Sequence, residues 1–241
     1  MANETQIKER PILFSTPMVC SILSGDKTQT RRIIKRQPDI DPNTGDWLLK
    51  YLDGREEVIP LQQYIDAELS RKSMPKPGDR FWVKETFYAY GYWDTRWSYK
   101  KGRPEWYFTD LTQKKGLAYL YHADRTPDYQ SIRVKYRVGY WKRPALFMPR
   151  AASRILLGIN DLWPEKLHDI SEDDAIKEGV GSGFCMNAGY PDYTRIKNGI
   201  CEATYDSAKG SFFSLWVSIN GSKSWLDNPF VVAYDFKHIH P

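Results

Sequence analysis

The sequence predicts an α+β chain dominated by short β-strands. Three observations carry that reading. Short apolar or aromatic runs recur along the chain between turn signals rich in Pro, Gly and Asp, and helical patterning is confined to a few stretches. Aromatic residues make up 15% of the 241 residues, nine Trp and sixteen Tyr among them, a supply that cross-strand packing uses.

The elements follow in order. Ile12-Leu13-Phe14 reads as a first strand. Thr16-Pro17 then supplies an N-cap with Pro at the first helical position, Met18, Val19, Ile22 and Leu23 share one helical face, and Gly25 stands where a C-cap belongs. Lys27 to Thr30 therefore begins just past a helix, and Ile33-Ile34 resumes as a strand among Arg31, Arg32, Lys35 and Arg36. Residues 37–76 are rich in Asp, Pro, Gly and charge and read as an insertion with a short helix near Leu61 to Leu69. Pro75 to Asp79 is a turn signal, and Arg80 to Phe87 alternate as a strand with Phe81, Val83 and Glu85 on one face and Trp82, Lys84 and Thr86 on the other. Tyr88 to Lys115 has no clean period and reads as a decorated loop or an irregular hairpin.

Leu117 to His122 and Ala151 to Ile159 are strand candidates. Leu167 to Gly179 carries a helix, with Ser171 and Asp174 arranged like a capping box. Gly181 to Gly210 has the composition of a long loop, Phe212 to Ile219 reads as a helix, and Pro229 to Phe236 closes the chain as a strand. Non-adjacent strands with few helices suggest a mainly β barrel.

The bulk numbers narrow the function classes. This length buries a core without staples. The formal net charge of +5 is a mild basic excess that suits an anionic partner without demanding one. Cys20, Cys185 and Cys201 are widely spaced with no Cys-x-x-Cys pair, which indicates neither a disulfide framework nor a zinc site and suits a reducing compartment. The stretch from Met1 to Arg10 is polar, and no segment approaches the roughly eighteen apolar residues that span a bilayer. The expectation is a cytoplasmic protein with no membrane contact. His238 and His240 alternate near the end, but no nearby Asp or Cys completes a ligand set, so no metal and no cofactor is expected.

The chemistry-bearing stretch is Gly25 to Arg32. Read plainly, it is a solvated turn followed by charge. Read as chemistry, a Lys three residues before a Thr is a base and a nucleophile: a threonine hydroxyl needs a base to take its proton, and Lys27 serves only when neutral. Burial and the neighbouring Arg31 and Arg32 lower a lysine pKa, and an anionic Glu85 opposes them.

Four blocks stand in order: Lys27-Thr28-Gln29-Thr30-Arg31-Arg32; Pro77 to Thr86; Met148-Pro149-Arg150-Ala151-Ala152-Ser153-Arg154-Ile155; and Leu215-Trp216 with Ser218 to Gly221 and Asn228-Pro229. Together they resemble the ASCH domain family, in particular its longer phage and prophage members, over about Lys8 to Ile239 with gaps. The resemblance implies a PUA-like β-barrel with flanking helices, one domain over residues 8–240 with long insertions at about 37–76, 88–118 and 181–210. It also implies a cleft for RNA or a nucleobase. Small bacterial members are amidohydrolases that deacylate N4-acetylcytidine with a Lys, a Thr three residues later and a Glu on a following strand, roles that fall on Lys27, Thr30 and Glu85. In one arrangement Thr30 attacks the acyl carbon, Lys27 relays its proton, and Glu85 orients the lysine or protonates the departing N4 amine; in another, Glu85 activates water and Thr30 binds the carbonyl. Arg31, Arg32, Trp82, Arg150, Ser153 and Arg154 are the candidate substrate-binding residues. Trp82 offers a stacking face, although alternation points it away from Glu85. Phe147 stands where phage-type members often carry His. Other members are RNA-binding proteins or ribonucleases. The expectation is therefore an amidohydrolase acting on a modified nucleoside, with a non-catalytic RNA-binding module or a single-strand ribonuclease as alternatives.

Overall fold

Strands joined by turns make up most of the regular structure in the computed structural model, which describes residues 7–51, 53–71, 73–181, 189–197 and 200–239. In chain order the elements are β1 (Glu9–Leu13), α1 (Thr16–Leu23), β2 (Gln29–Ile33), β3 (Trp47–Lys50), β4 (Glu56–Ile59), α2 (Leu61–Leu69), β5 (Arg80–Lys84), β6 (Phe87–Ser98), β7 (Arg103–Asp110), β8 (Leu120–Tyr121), β9 (Gly139–Arg143), β10 (Leu156–Lys166), α3 (Glu172–Lys177), β11 (Tyr190–Pro191), β12 (Ile196–Lys197), β13 (Ile200–Cys201), β14 (Thr204–Tyr205), α4 (Ala208–Asn220), α5 (Ser222–Leu226) and β15 (Phe230–Ile239). The chain divides into two compact units. The first takes residues up to Lys8, Ser24–Arg80 and Gly158–His238; the second takes Glu9–Leu23, Phe81–Leu157 and the end from Ile239.

In the first unit, β15 lies between β10 and β2. Its run of Val231, Val232, Ala233, Tyr234 and Phe236 is buried throughout, as a strand covered on both faces must be. It pairs antiparallel with β2, setting Tyr234 opposite Thr30 and Ala233 opposite Arg31. Gly25 precedes β2 in the left-handed region at φ +86°, the conformation its C-cap position requires. The expected helix over 167–179 is shorter than its pattern: one 3-10 turn at Leu167–Asp169, then α3, capped by the Ser171 side chain accepting from the Asp174 N–H at 3.0 Å. Three acidic residues fill the first turn of α3, where the positive end of the helix dipole favours them. Helix α4 begins earlier than expected because Ser207 caps it at Gly210 N–H, and it buries Phe212, Leu215 and Trp216. The 37–76 stretch forms a β3–β4 hairpin followed by α2, which starts and ends at the residues its apolar pattern indicates. Trp47 packs edge-on to Tyr64 there at 5.0 Å between centroids. The expected loop over 181–210 lies partly outside the described residues; the described part contains the short pairs β11–β14 and β12–β13.

In the second unit, β5 lies beside β1, and Val83 N–H donates to Ile155 O at 3.0 Å, just ahead of β10. The expected alternation holds: Phe81, Val83 and Glu85 are buried while Trp82 and Lys84 are half-buried. The strand expected from Ala151 starts later, because Arg150–Ala152 is a 3-10 turn. The stretch after Tyr88 is more regular than its composition indicates. β6 and β7 pair without a break from Gly91 opposite Asp110 to Ser98 opposite Arg103, and β8 and β9 also pair with β6. Aromatic packing supports this hairpin, with Trp93 at 5.3 Å from Phe108 and 6.2 Å from Trp141. Gly91 is required where it stands, since a Cβ there would meet Thr109 O at 2.0 Å. Its carbonyl also accepts the Trp141 indole N–H at 3.1 Å.

The strand orders have free ends, so among the described residues no sheet closes on itself, unlike the expected barrel. The α+β, mainly β class stands. Cys20 is free and Cys201 is disulfide-bonded, a bond the cysteine spacing did not indicate. Among the described residues no helix is long and apolar enough to cross a membrane.

Candidate functional site

The sequence-predicted residues divide between the two units, Lys27, Thr30, Arg31 and Arg32 in the first and Trp82, Glu85, Arg150, Ser153 and Arg154 in the second. Each group is built by its own local structure.

In the first unit, strand alternation along β2 sends Gln29 and Arg31 to one face and Thr30 and Arg32 to the other. On the first face lies a buried ionic network. The Lys27 side chain is fully buried, and its ammonium donates to Gln29 O at 2.8 Å, Glu178 O at 2.7 Å and Glu178 Oε2 at 2.7 Å. An ammonium has three N–H bonds, and each finds an acceptor here. Arg31, equally buried, donates through Nε to Glu165 Oε1 at 2.6 Å and through Nη1 to Glu178 Oε1 at 3.3 Å, with Asp174 at 3.5 Å from Nη2. Glu178 thus bridges both cations through its two carboxylate oxygens. Burial draws the Lys27 pKa below its ordinary 10.5, and the Glu178 carboxylate opposes that shift. For Lys27 to act as a base it would have to give up one of these three bonds together with its proton.

On the other face of β2, Thr30 is buried and Arg32 is half-buried. Arg32 lines a cavity of about 380 Å³ together with Lys35, Arg36, Arg71, Met74 and Tyr234. The carboxylate in that lining is Glu68, which Arg71 already pairs at 2.6 Å. Four cationic side chains therefore surround a space of ligand size, with apolar wall from Ile34 and Val232. The cation-rich run after Thr30 announces this cavity in the sequence. Arg71 and Met74, brought in by the segment after α2, were not legible because that stretch reads as an insertion.

In the second unit, Glu85 is buried and takes a two-pronged pair from Arg154, Nε to Oε1 at 2.9 Å and Nη2 to Oε2 at 3.1 Å. Arg154 also donates to both oxygens of Asp124 through Nη1 at 2.8 Å and lies 4.0 Å over the Tyr121 ring. Burial pushes the Glu85 carboxyl up from 4.5, with Arg154 opposing the rise and the Asp124 charge adding to it. Ser153 donates its hydroxyl to Val83 O at 2.8 Å, bracing the backbone ahead of β10 against β5. Arg150 pairs with Glu9 at 2.8 Å on the surface, and Trp82 lies 5.5 Å from the Lys84 ammonium, its neighbour two residues along the same strand face. Asp124 and Tyr121 were missed by sequence reasoning, since nothing near them marks a motif.

Among the described residues no group of three or more His, Cys, Asp or Glu is placed to hold a metal ion. Comparison of the chain with protein-family models, with curated proteins and with solved structures found no match.

Two outcomes follow from these networks. Removing the shared carboxylate by Glu178→Ala strands two buried cations, so chemical denaturation should show a loss of about 3–5 kcal/mol, the usual cost of breaking a buried pair; a loss below about 1 kcal/mol, the level of an exposed pair, contradicts the network. For Glu85, whose folded pKa lies above 4.5, the folded state holds a proton that the unfolded chain has released just above that pH. Its contribution is complete below pH 4.5 and is lost as pH rises through the folded value. The stability advantage of the native chain over Glu85→Gln should therefore shrink with rising pH across that window, and an advantage that grows contradicts the assignment.

Proposed function

We propose that this protein binds RNA through the basic cavity of its first unit. What supports the reading is one observation: Arg32, Lys35, Arg36 and Arg71 surround a cavity of about 380 Å³ in which the lining carboxylate, Glu68, is already paired. A phosphate there meets several guanidinium forks, which match phosphate oxygens in pairs. Tyr234, Ile34, Met74 and Val232 provide the apolar wall that a base or ribose needs. The Lys27 and Arg31 network on the opposite face of β2 then has a positioning role, holding the strand that presents Arg32. The resemblance to ASCH proteins, with the PUA-like fold it implies, belongs to this proposal and agrees with it in partner class.

A second reading, deacylation of N4-acetylcytidine or a related modified base, is favoured by Glu85. A buried carboxyl whose pKa is raised is suited to hand a proton to a departing amine. The saturated ammonium of Lys27 weighs against its use as the base.

Fluorescence anisotropy with a labelled single-stranded RNA tests the first reading. Affinity should fall steeply with salt, and the Lys35→Ala/Arg36→Ala pair, both exposed, should reduce the slope of log affinity against log salt by about 1.4, at about 0.7 per single-strand phosphate contact. A flat salt response removes RNA binding. Release of cytidine from N4-acetylcytidine under chelator, lost in Glu85→Gln, would carry the second reading instead.

A further inference from the structure

In the second unit, two guanidinium groups share one indole. Arg133 stands 4.1 Å from the centroid of the Trp93 ring and Arg143 stands 4.8 Å from it. Arg143 also lies over Phe108 at 4.5 Å and Phe147 at 5.2 Å. Attraction to the rings holds each arginine singly, but the two cations repel one another. Burial and then the charge of Arg133 press the Arg143 pKa down, with Asp110 opposing. The nearby carboxylates have closer partners: Asp94 with Lys135 at 3.3 Å, Glu105 with Lys101 at 2.6 Å, and Asp110 accepting from Thr112 N–H and the Tyr119 hydroxyl. The buried Trp93 indole N–H finds no acceptor among the described residues.

This cluster opens onto a surface. Arg133 and Phe147 line a shallow cavity of about 580 Å³ together with Lys101, Arg103, Glu105 and Trp106 from the β6–β7 hairpin, Glu105 being the carboxylate that Lys101 pairs. Trp106 is 42% exposed and Phe147 59% exposed, large apolar faces left open to solvent in a lining where the cations Lys101, Arg103 and Arg133 outnumber the carboxylate Glu105. That combination has a specific complement. A polyanion supplies the missing negative charge, and flat rings on it supply partners for the exposed aromatics.

We propose that this hairpin surface of the second unit is a binding site for single-stranded RNA, with bases stacking on Trp106 and Phe147 and backbone phosphates neutralising Arg103 and Arg133. The inference rests on the RNA-binding reading and adds a separate surface to it. Single strands are specified because a duplex turns its base faces inward, away from a stacking side chain. An acidic peptide would answer the charge and leave the rings unmatched.

The test uses the full chain and a labelled oligouridylate, with an abasic oligonucleotide of equal charge as the second probe. Trp106→Ala should weaken oligouridylate binding about 5- to 150-fold, the range for loss of one stacked base, without changing the salt slope, and Trp106→Phe should restore most of it. Arg103→Ala should lower the salt slope by about 0.7. The abasic probe should bind the native chain more weakly than oligouridylate and be insensitive to Trp106→Ala. If Trp106→Ala and Arg103→Ala bind like the native chain while Lys35→Ala/Arg36→Ala is weakened, this surface is overturned and the first-unit reading stands. The reverse pattern upholds this surface and overturns the first-unit cavity. No binding by the native chain overturns both. Displacement of oligouridylate by a polyglutamate peptide at equal charge would assign the surface to a protein partner and overturn the inference as well.

Discussion

The constraint on which the first unit depends is the burial of two positive charges on one strand. Lys27 and Arg31 have fully buried side chains, and removing two cations from water is costly unless each finds an anion and full hydrogen bonding inside. Glu178 meets most of that demand, one oxygen on each cation, and Glu165 and Asp174 add negative charge around Arg31, whose Nη2 finds no hydrogen-bond acceptor among the described residues. Such a network fixes geometry more than it adds stability. Each partner has one acceptable position, which ties the start of β2 to the end of α3 and to the far end of β10.

That fixed strand determines what its other face presents. Because alternate residues point to opposite faces, locking Arg31 inward commits Arg32 outward toward the basic cavity. β15 sets the register, with Tyr234 opposite Thr30 and lining the same cavity as Arg32. A buried structural cation and a ligand-facing one are thus adjacent in sequence for a geometric reason. The second unit handles charge differently. Glu85 is a buried carboxylate held by a single guanidinium that it shares with Asp124, and burial shifts its carboxyl toward the neutral form.

Local signals were legible where a residue acts on its own neighbours. The alternation of Phe81, Val83 and Glu85, the Ser171 cap, the Gly25 C-cap and the short helix at Leu61 all act within a few residues, and each stands where its pattern placed it. What escaped the sequence is what depends on distant pairing. Tyr88 to Lys115 shows no period because both faces of β6 carry aromatics, and only pairing with β7 and β9 reveals a regular strand. The role of Glu178 was equally hidden, since a Glu before a Gly at a helix end is an ordinary C-terminal residue until Lys27 arrives from 151 positions away. The candidate residues at Lys27, Arg32 and Glu85 were visible as chemistry-bearing types. Glu178 and Arg71 were not, and Arg154, named as a substrate-binding candidate, was assigned to Glu85 only by folding.

The state of the Lys27 side chain is the most direct test of this account. Heteronuclear NMR of the lysine side-chain amines, with Lys27 assigned through Lys27→Arg, reads protonation and exchange at a single nitrogen. The account predicts a charged ammonium at neutral pH whose protons exchange slowly because all three are bonded and buried. A neutral amine at Lys27, or an ammonium exchanging as fast as the surface lysines, would contradict it.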